Sequence, residues 1–143
     1  MKIFVINGAN LNLMGKCQTG KFGTTTLEDI EKQLKALAAS KGIELVFARS
    51  NFEGELIEAV HRAYFDKATG IIINPGGYRH SSLALREALE AVELPAIEVH
   101  ITTIGSREFH HDTLLAGVSL AQICGQVENV YERAFDALLN HLG

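Results

Sequence analysis

The feature that most constrains this chain is a strict alternation of short, β-branched apolar runs with stretches of helical periodicity. Lys2–Ile6, Ile43–Ala48, Gly70–Ile73, Ala96–Val99 and Val118–Cys124 read as strands. Leu27–Ser40, Glu53–Phe65, Ser82–Ala91 and Gln126–Leu142 read as helices. The order is βαβαβαβ, then a long loop, a fifth strand and a closing helix. Parallel strands joined by right-handed helical crossovers make a three-layer α/β/α sandwich over a five-stranded parallel sheet. The 143 residues amount to one domain, 1–143, and a 47% hydrophobic composition supplies its core. No repeat or interdomain linker interrupts the pattern.

Local signals agree with this layout. Thr25-Thr26-Leu27-Glu28 reads as a Thr-x-x-Glu capping box at the start of the first helix. Ile30, Leu34, Leu37 and Ala38 follow at helical spacing, and Gly42 stands where a left-handed cap is expected. Pro95 precedes the fourth strand, where its missing N–H does little harm. Gly8–Thr24 and Ile101–Thr113 are too long for mere connectors, which makes them candidate functional loops.

Charge and cysteine usage bound the partners. A net charge of −4 argues against nucleic acid or an anionic membrane surface as the main partner. No apolar run approaches the ~20 residues that span a bilayer. The N-terminal run is short, carries one early Lys and is broken by Asn7, which predicts no secretory signal. Cys17 and Cys124 are isolated and fit free thiols in a reducing cytosol.

Polar residues gather where three of the predicted strands end. The first opens into Asn7-Gly8-Ala9-Asn10-Leu11-Asn12, the third into Asn74-Pro75-Gly76-Gly77-Tyr78-Arg79-His80, and the fourth runs through Glu98 to His100. Ligands of open α/β sheets bind just beyond the carboxyl ends of strands, so these segments predict one small-molecule site. The asparagines can bond a ligand or a bound water, or simply close turns. Gly76 and Gly77 allow close backbone approach, and Ser81 or Ser82 can cap a helix whose N-terminus favours a carboxylate. The loop matches neither a Walker loop nor GxGxxG. Glu98 and His100, two apart on a strand, share a face; a carboxylate there can fix the imidazole tautomer and suit it to general acid work. His110-His111-Asp112 lacks any metal-ligand spacing and reads as a solvated loop. Cys17 is either a nucleophile with His100 as its base or a bystander thiol.

Four ordered segments resemble the type II 3-dehydroquinate dehydratase family: Ile6-Asn7-Gly8-Ala9-Asn10-Leu11-Asn12-Leu13, Ser50-Asn51-Phe52-Glu53-Gly54-Glu55-Leu56-Ile57, Ile73 to Ser82, and Ile97-Glu98-Val99-His100. The resemblance spans essentially the whole chain. It implies a flavodoxin-like fold, a cytoplasmic enzyme of the shikimate and quinate pathways, and a trimer-based dodecamer. It implies anti elimination of water from 3-dehydroquinate without metal, Schiff base or cofactor. A tyrosinate takes the proton beside the ketone and a histidine protonates the departing hydroxyl. Carried over by position, His100 resembles that acid, Glu98 its orienting partner, and Asn12 the residue that holds a water on the enolate. Asn74, His80, the backbone at Ile101 and the hydroxyl of Thr102 resemble substrate contacts, and His110, also expected at the substrate, falls where the family's second lid carries an arginine. Arg86 and Glu87 resemble positions at the substrate site or between subunits. The family's first lid carries a tyrosine base and an arginine; at those positions stand Phe22 and Cys17. A phenyl ring has no ionisable proton, so reduced turnover is expected. The alternative is an altered paralogue: another lyase, an isomerase or a Cys17-based hydrolase on a cyclic polyol acid, or a non-catalytic binder of quinate- or shikimate-type ligands.

Overall fold

The structure, a computed structural model, describes residues 1–102 and 112–143. Five strands, β1 (Lys2–Asn7), β2 (Glu44–Arg49), β3 (Gly70–Asn74), β4 (Ala96–Ile101) and β5 (Ala121–Gly125), form one sheet in the order β2-β1-β3-β4-β5. All four pairings are parallel. The helices are α1 (Thr19–Phe22), α2 (Leu27–Ser40), α3 (Glu53–Phe65), α4 (Leu83–Val92) and α5 (Val130–Leu142). This is the flavodoxin-type doubly wound order, in which the chain reverses direction of travel at β1 and β3 and opens a crevice beyond their carboxyl ends.

The period-2 pleat divides the core in two. Ile3 and Val5 point with Ile72, Ile97 and Val99 toward α2 and α5. Phe4 and Ile6 point with Ile71 and Ile73 toward α3 and α4. Both faces of β1 and β3 are therefore buried, which explains their unbroken apolar runs. Each such side chain contributes about 1.5–3 kcal/mol of transfer free energy.

Several element ends shift by one or two residues from the sequence expectation, and three differences have a visible cause. The capping box is one residue later: Thr26 Oγ1 accepts from the Asp29 N–H at 3.1 Å, and Asp29 Oδ2 accepts from the Thr26 N–H at 3.0 Å. Burial of Leu27, Ile30, Leu34 and Ala38 fixes the helix phase and so selects Thr26 as N-cap. The fifth strand starts at Ala121, because Ala116–Val118 wind into a 3₁₀ turn. Arg86 holds that segment, donating to the Leu114 carbonyl at 2.5 Å and packing where a side chain on Gly117 would sit. The last helix starts at Val130, after a turn whose Val127 is fully buried. Gly42 has φ 67°, as expected for its place past α2. The long first loop holds a 3₁₀ turn at Leu11–Leu13 as well as α1. Among the described residues no helix is long and apolar enough to cross a membrane.

Candidate active site

The ends of β1 and β3 lie side by side, with Asn7 opposite Asn74. Their loops then interlock through two glycines. A Cβ on Gly8 would stand 2.3 Å from the Pro75 carbonyl oxygen, and one on Gly76, at φ +63°, would stand 2.7 Å from the carbonyl oxygen of Ala9. Gly76 thus makes room for protein backbone, whereas a side chain at Gly77 would meet open space. The segment from Ser50 to Glu55 braces the assembly from outside. Asn51 Oδ1 accepts from the Asn10 N–H at 2.8 Å, the Asn51 carbonyl accepts from the Tyr78 hydroxyl at 2.6 Å, and Ser50 Oγ donates to Glu55 at 2.9 Å. Asn10 holds φ 70°, a left-handed conformation that asparagine tolerates.

Beneath the loops lies a fully buried polar bridge. The Tyr131 hydroxyl donates to Asn7 Oδ1 at 2.5 Å and accepts from Asn74 Nδ2 at 3.1 Å. Burial pushes the Tyr131 phenol far above its usual range, so it stays a donor. Asn74 Oδ1 accepts from the Gly76 N–H at 3.1 Å. Among the described residues its amide keeps one hydrogen to offer a ligand.

Above this floor opens a cleft of about 410 Å³. Its wall includes Asn10, Asn74, Gly76 and Arg79 with Ile101 at the end of β4, and Cys17 and Phe22 across from them in the first loop. The volume suits a small molecule. The structure thus brings four of the residues expected from sequence, Cys17, Phe22, Asn74 and Ile101, to one cavity.

His100 and Glu98 are buried behind the wall, 4% and 0% exposed. Glu98 Oε2 lies 2.9 Å from His100 Nε2 and accepts from the Thr113 hydroxyl at 2.5 Å. The first contact is close but off the hydrogen-bond line, since neither Nε2 nor Glu98 Oε1 has a hydrogen-bond partner among the described residues. On the opposite edge of the ring, Arg79 Nη1 lies 2.5 Å from Nδ1. A guanidinium only donates, so Nδ1 presents its lone pair and Nε2 carries the proton toward Glu98. The Arg79 Nε–H also donates to His80 Nε2 at 3.2 Å, so one side chain holds both imidazoles.

The other expected site residues are dispersed. Asn12 sits in the Leu11–Leu13 turn off the cleft wall, its Oδ1 buried without a partner among the described residues. His80 is exposed at the rim. The Thr102 N–H donates to the Gly125 carbonyl at 2.9 Å. Arg86 is committed to Leu114. His110 and the rest of 103–111 lie outside the described residues. Ser82, not Ser81, caps α4, accepting from the Leu85 N–H at 3.0 Å from a fully buried position. Of the cations near the first loop, Lys16 pairs with Glu28 at 3.6 Å, and Lys21 Nζ lies 6.0 Å from the Phe22 ring centre.

Sequence reasoning did not single out Arg79, Thr113 or Tyr131. Arg79 carried a signal, being a cation inside a loop already suspected. Tyr131 carried none, since its partners lie 124 and 57 positions away.

A cleft at the switch point of a doubly wound parallel sheet, backed by a buried carboxylate–imidazole pair, defines an α/β protein equipped to bind a small polar molecule and move a proton. Residues 1–139 match the family described as dehydroquinase class II. The chain is similar to the 3-dehydroquinate dehydratase of Synechococcus sp. (strain WH7803), with 44% identity covering 99% of this chain and 97% of the relative. It is 44% identical to that of Carboxydothermus hydrogenoformans, over 99% and 92%. The crystal structure of type II dehydroquinase from Butyrivibrio crossotus superposes with a TM-score of 0.88 at 41% identity, covering 96% of this chain and 97% of that one. The chain belongs to the class II dehydroquinase family.

Proposed function

We propose that this chain is a hydro-lyase that converts 3-dehydroquinate to 3-dehydroshikimate by anti elimination of water, at a turnover lowered by its divergent first lid. A proton leaves the carbon beside the ketone and an enolate forms. The C–O bond then breaks, its electron pair leaves with the oxygen, and a proton from His100 completes the water. Glu98 orients His100 and balances its charge. Asn12 holds a water on the enolate oxygen, a role supported by its buried Oδ1, which has no partner among the described residues. Asn74, His80, the Ile101 backbone, Thr102 and His110 contact the substrate.

The observation that carries this reading is the buried Glu98–His100 pair at 2.9 Å behind a cleft of about 410 Å³. Phe22 on that wall carries no proton acceptor, and Cys17 lines the same cleft. A positioned base is worth on the order of 10²–10⁴ in rate, which sets the scale of the deficit. Phe22 also favours a second reading, a ligand-binding member that does not turn over. The two separate on mixing the protein with 3-dehydroquinate and following the enone absorbance of the product. Slow product formation that His100→Ala removes supports the lyase, and tight binding without product supports the binder. Assembly as a closed, trimer-based homo-oligomer and action in the cytoplasm complete the proposal.

A further inference from the structure

Arg79 stands where the cleft and the buried acid–base pair meet. It is on the cleft wall, His100 is not, and the two touch through Nη1 and Nδ1 at 2.5 Å. The guanidinium therefore covers the imidazole nitrogen that faces the cleft. Charge makes this arrangement more than a cover. Glu98 is completely buried and its Oε1 has no hydrogen-bond partner among the described residues. A buried carboxylate requires a compensating cation close by. With His100 neutral, Arg79 is that cation among the described residues.

We infer that Arg79 and a proton on His100 Nδ1 are interchangeable occupants of one position, so that an anionic ligand entering the cleft draws Arg79 off the imidazole and His100 takes a proton from solvent in its place. The guanidinium half-buried at the wall has a fork suited to a carboxylate. Once it turns to the ligand, Glu98 faces a neutral imidazole, and protonation of Nδ1 restores the balance. The imidazolium so formed has Nε2–H toward Glu98 and Nδ1–H toward the cleft, the form that can donate. Arg79 is then a positioning residue that admits the acid form of His100 only when an anion is bound. This rests on the proposed lyase reading for the identity of the ligand, but the tautomer of the empty protein does not depend on it.

Among the described residues, Glu98 on its own strand and Arg79 from the β3 loop reach His100 directly, His80 lies behind Arg79, Cys124 pairs with His100 across β4 and β5, and Arg133 of α5 lies behind Cys124. Burial raises the Cys124 thiol, which keeps it neutral. Arg133 donates to the Cys124 carbonyl at 3.1 Å and is otherwise exposed, so it cannot replace Arg79.

Two measurements on the whole protein test this. Nitrogen-15 NMR of the histidine rings in the empty protein is expected to show His100 with an unprotonated Nδ1 and a protonated Nε2 at pH 6. In Arg79→Gln, with an unchanged melting temperature, both nitrogens are expected to be protonated. An imidazolium in the wild type, or no change in the variant, overturns the inference whatever the ligand is. Calorimetric titration with quinate, a non-reacting cyclic polyol carboxylate, in buffers of different ionisation enthalpy is expected to show uptake of about one proton per site in wild type and none in Arg79→Gln. Affinity in the variant should fall by about 10- to 100-fold, as for loss of a charged hydrogen bond. Binding without proton uptake in wild type overturns the coupling. Failure of quinate to bind, with the expected NMR result, counts against the lyase reading and leaves the Arg79–His100 assignment standing.

Discussion

Tyr131 and Asn7, 124 residues apart in sequence, share a 2.5 Å hydrogen bond in the fully buried layer beneath the cleft. The bond fastens α5 under the ends of β1 and β3, and through Asn74 it orients an amide on the cleft wall. The first and last elements of the chain must therefore be docked before the floor is complete.

Tyr131→Phe removes one hydroxyl and leaves Asn7 Oδ1 and Asn74 Nδ2 without a partner. The expected loss is about 1–3 kcal/mol of folding stability by urea titration at pH 7. The pH dependence has a definite sign. The folded phenol titrates above its unfolded value of ~10, so its contribution is complete below that pH and is lost as pH rises past it. Wild type should lose up to about 1.4 kcal/mol per pH unit above pH 10 from this group, and the variant should lack that increment.

Gly8 and Gly76 should reject a methyl group and Gly77 should accept one. Gly8→Ala places carbon 2.3 Å from backbone oxygen, and Gly76→Ala combines a 2.7 Å contact with φ +63°. Each should cost about 1–3 kcal/mol, while Gly77→Ala stays within about 0.5 kcal/mol. Thermal melts of the three variants decide the matter.

The cap of α2 gives a smaller, cleaner test. Thr26→Ala should cost about 1 kcal/mol, and Thr25→Ala far less, because Thr26 carries the cap. The backbone N–H of Thr26 holds the Asp29 carboxyl below its usual range. Its contribution is thus present above pH ~4 and lost as pH falls through the folded value, so the effect of Asp29→Asn should shrink in acid.

The fold was legible because both faces of β1 and β3 are buried, which writes Ile3–Ile6 and Ile71–Ile73 as continuous apolar runs. Boundaries were less legible where long-range contacts decide them. Arg86 reaching Leu114 shortens the fifth strand, and buried Val127 delays α5. Within the site, strand-end asparagines and the Glu98–His100 spacing were visible because a strand repeats every two residues. The asparagines proved to have separate positions: Asn7 is bonded in the core, Asn10 turns the chain, and Asn12 has an oxygen without a partner among the described residues. Arg79 bonding to His100 was not readable, since side-chain direction in a 3₁₀ turn depends on what the neighbouring strand presents.

Exposed Phe52, Tyr64, Phe65, Leu83 and Leu120 give the molecule apolar surface to cover. Light scattering at micromolar concentration should report an assembly well above the 15.6 kDa chain, and a monomer alone contradicts the proposed closed oligomer.

The most direct test of the account is turnover of 3-dehydroquinate by wild type, Phe22→Tyr, Cys17→Arg and the double variant, followed through the enone product. A tyrosine at ordinary pKa is only about one part in a thousand ionised at neutral pH, and a neighbouring arginine favours the charged form. The two residues should therefore act as a unit. The expected result is slow wild-type turnover, little gain from either single change, and a gain in the double that exceeds the sum of the two. Fast wild-type turnover unaffected by the substitutions contradicts the assignment of the rate deficit to Phe22 and Cys17.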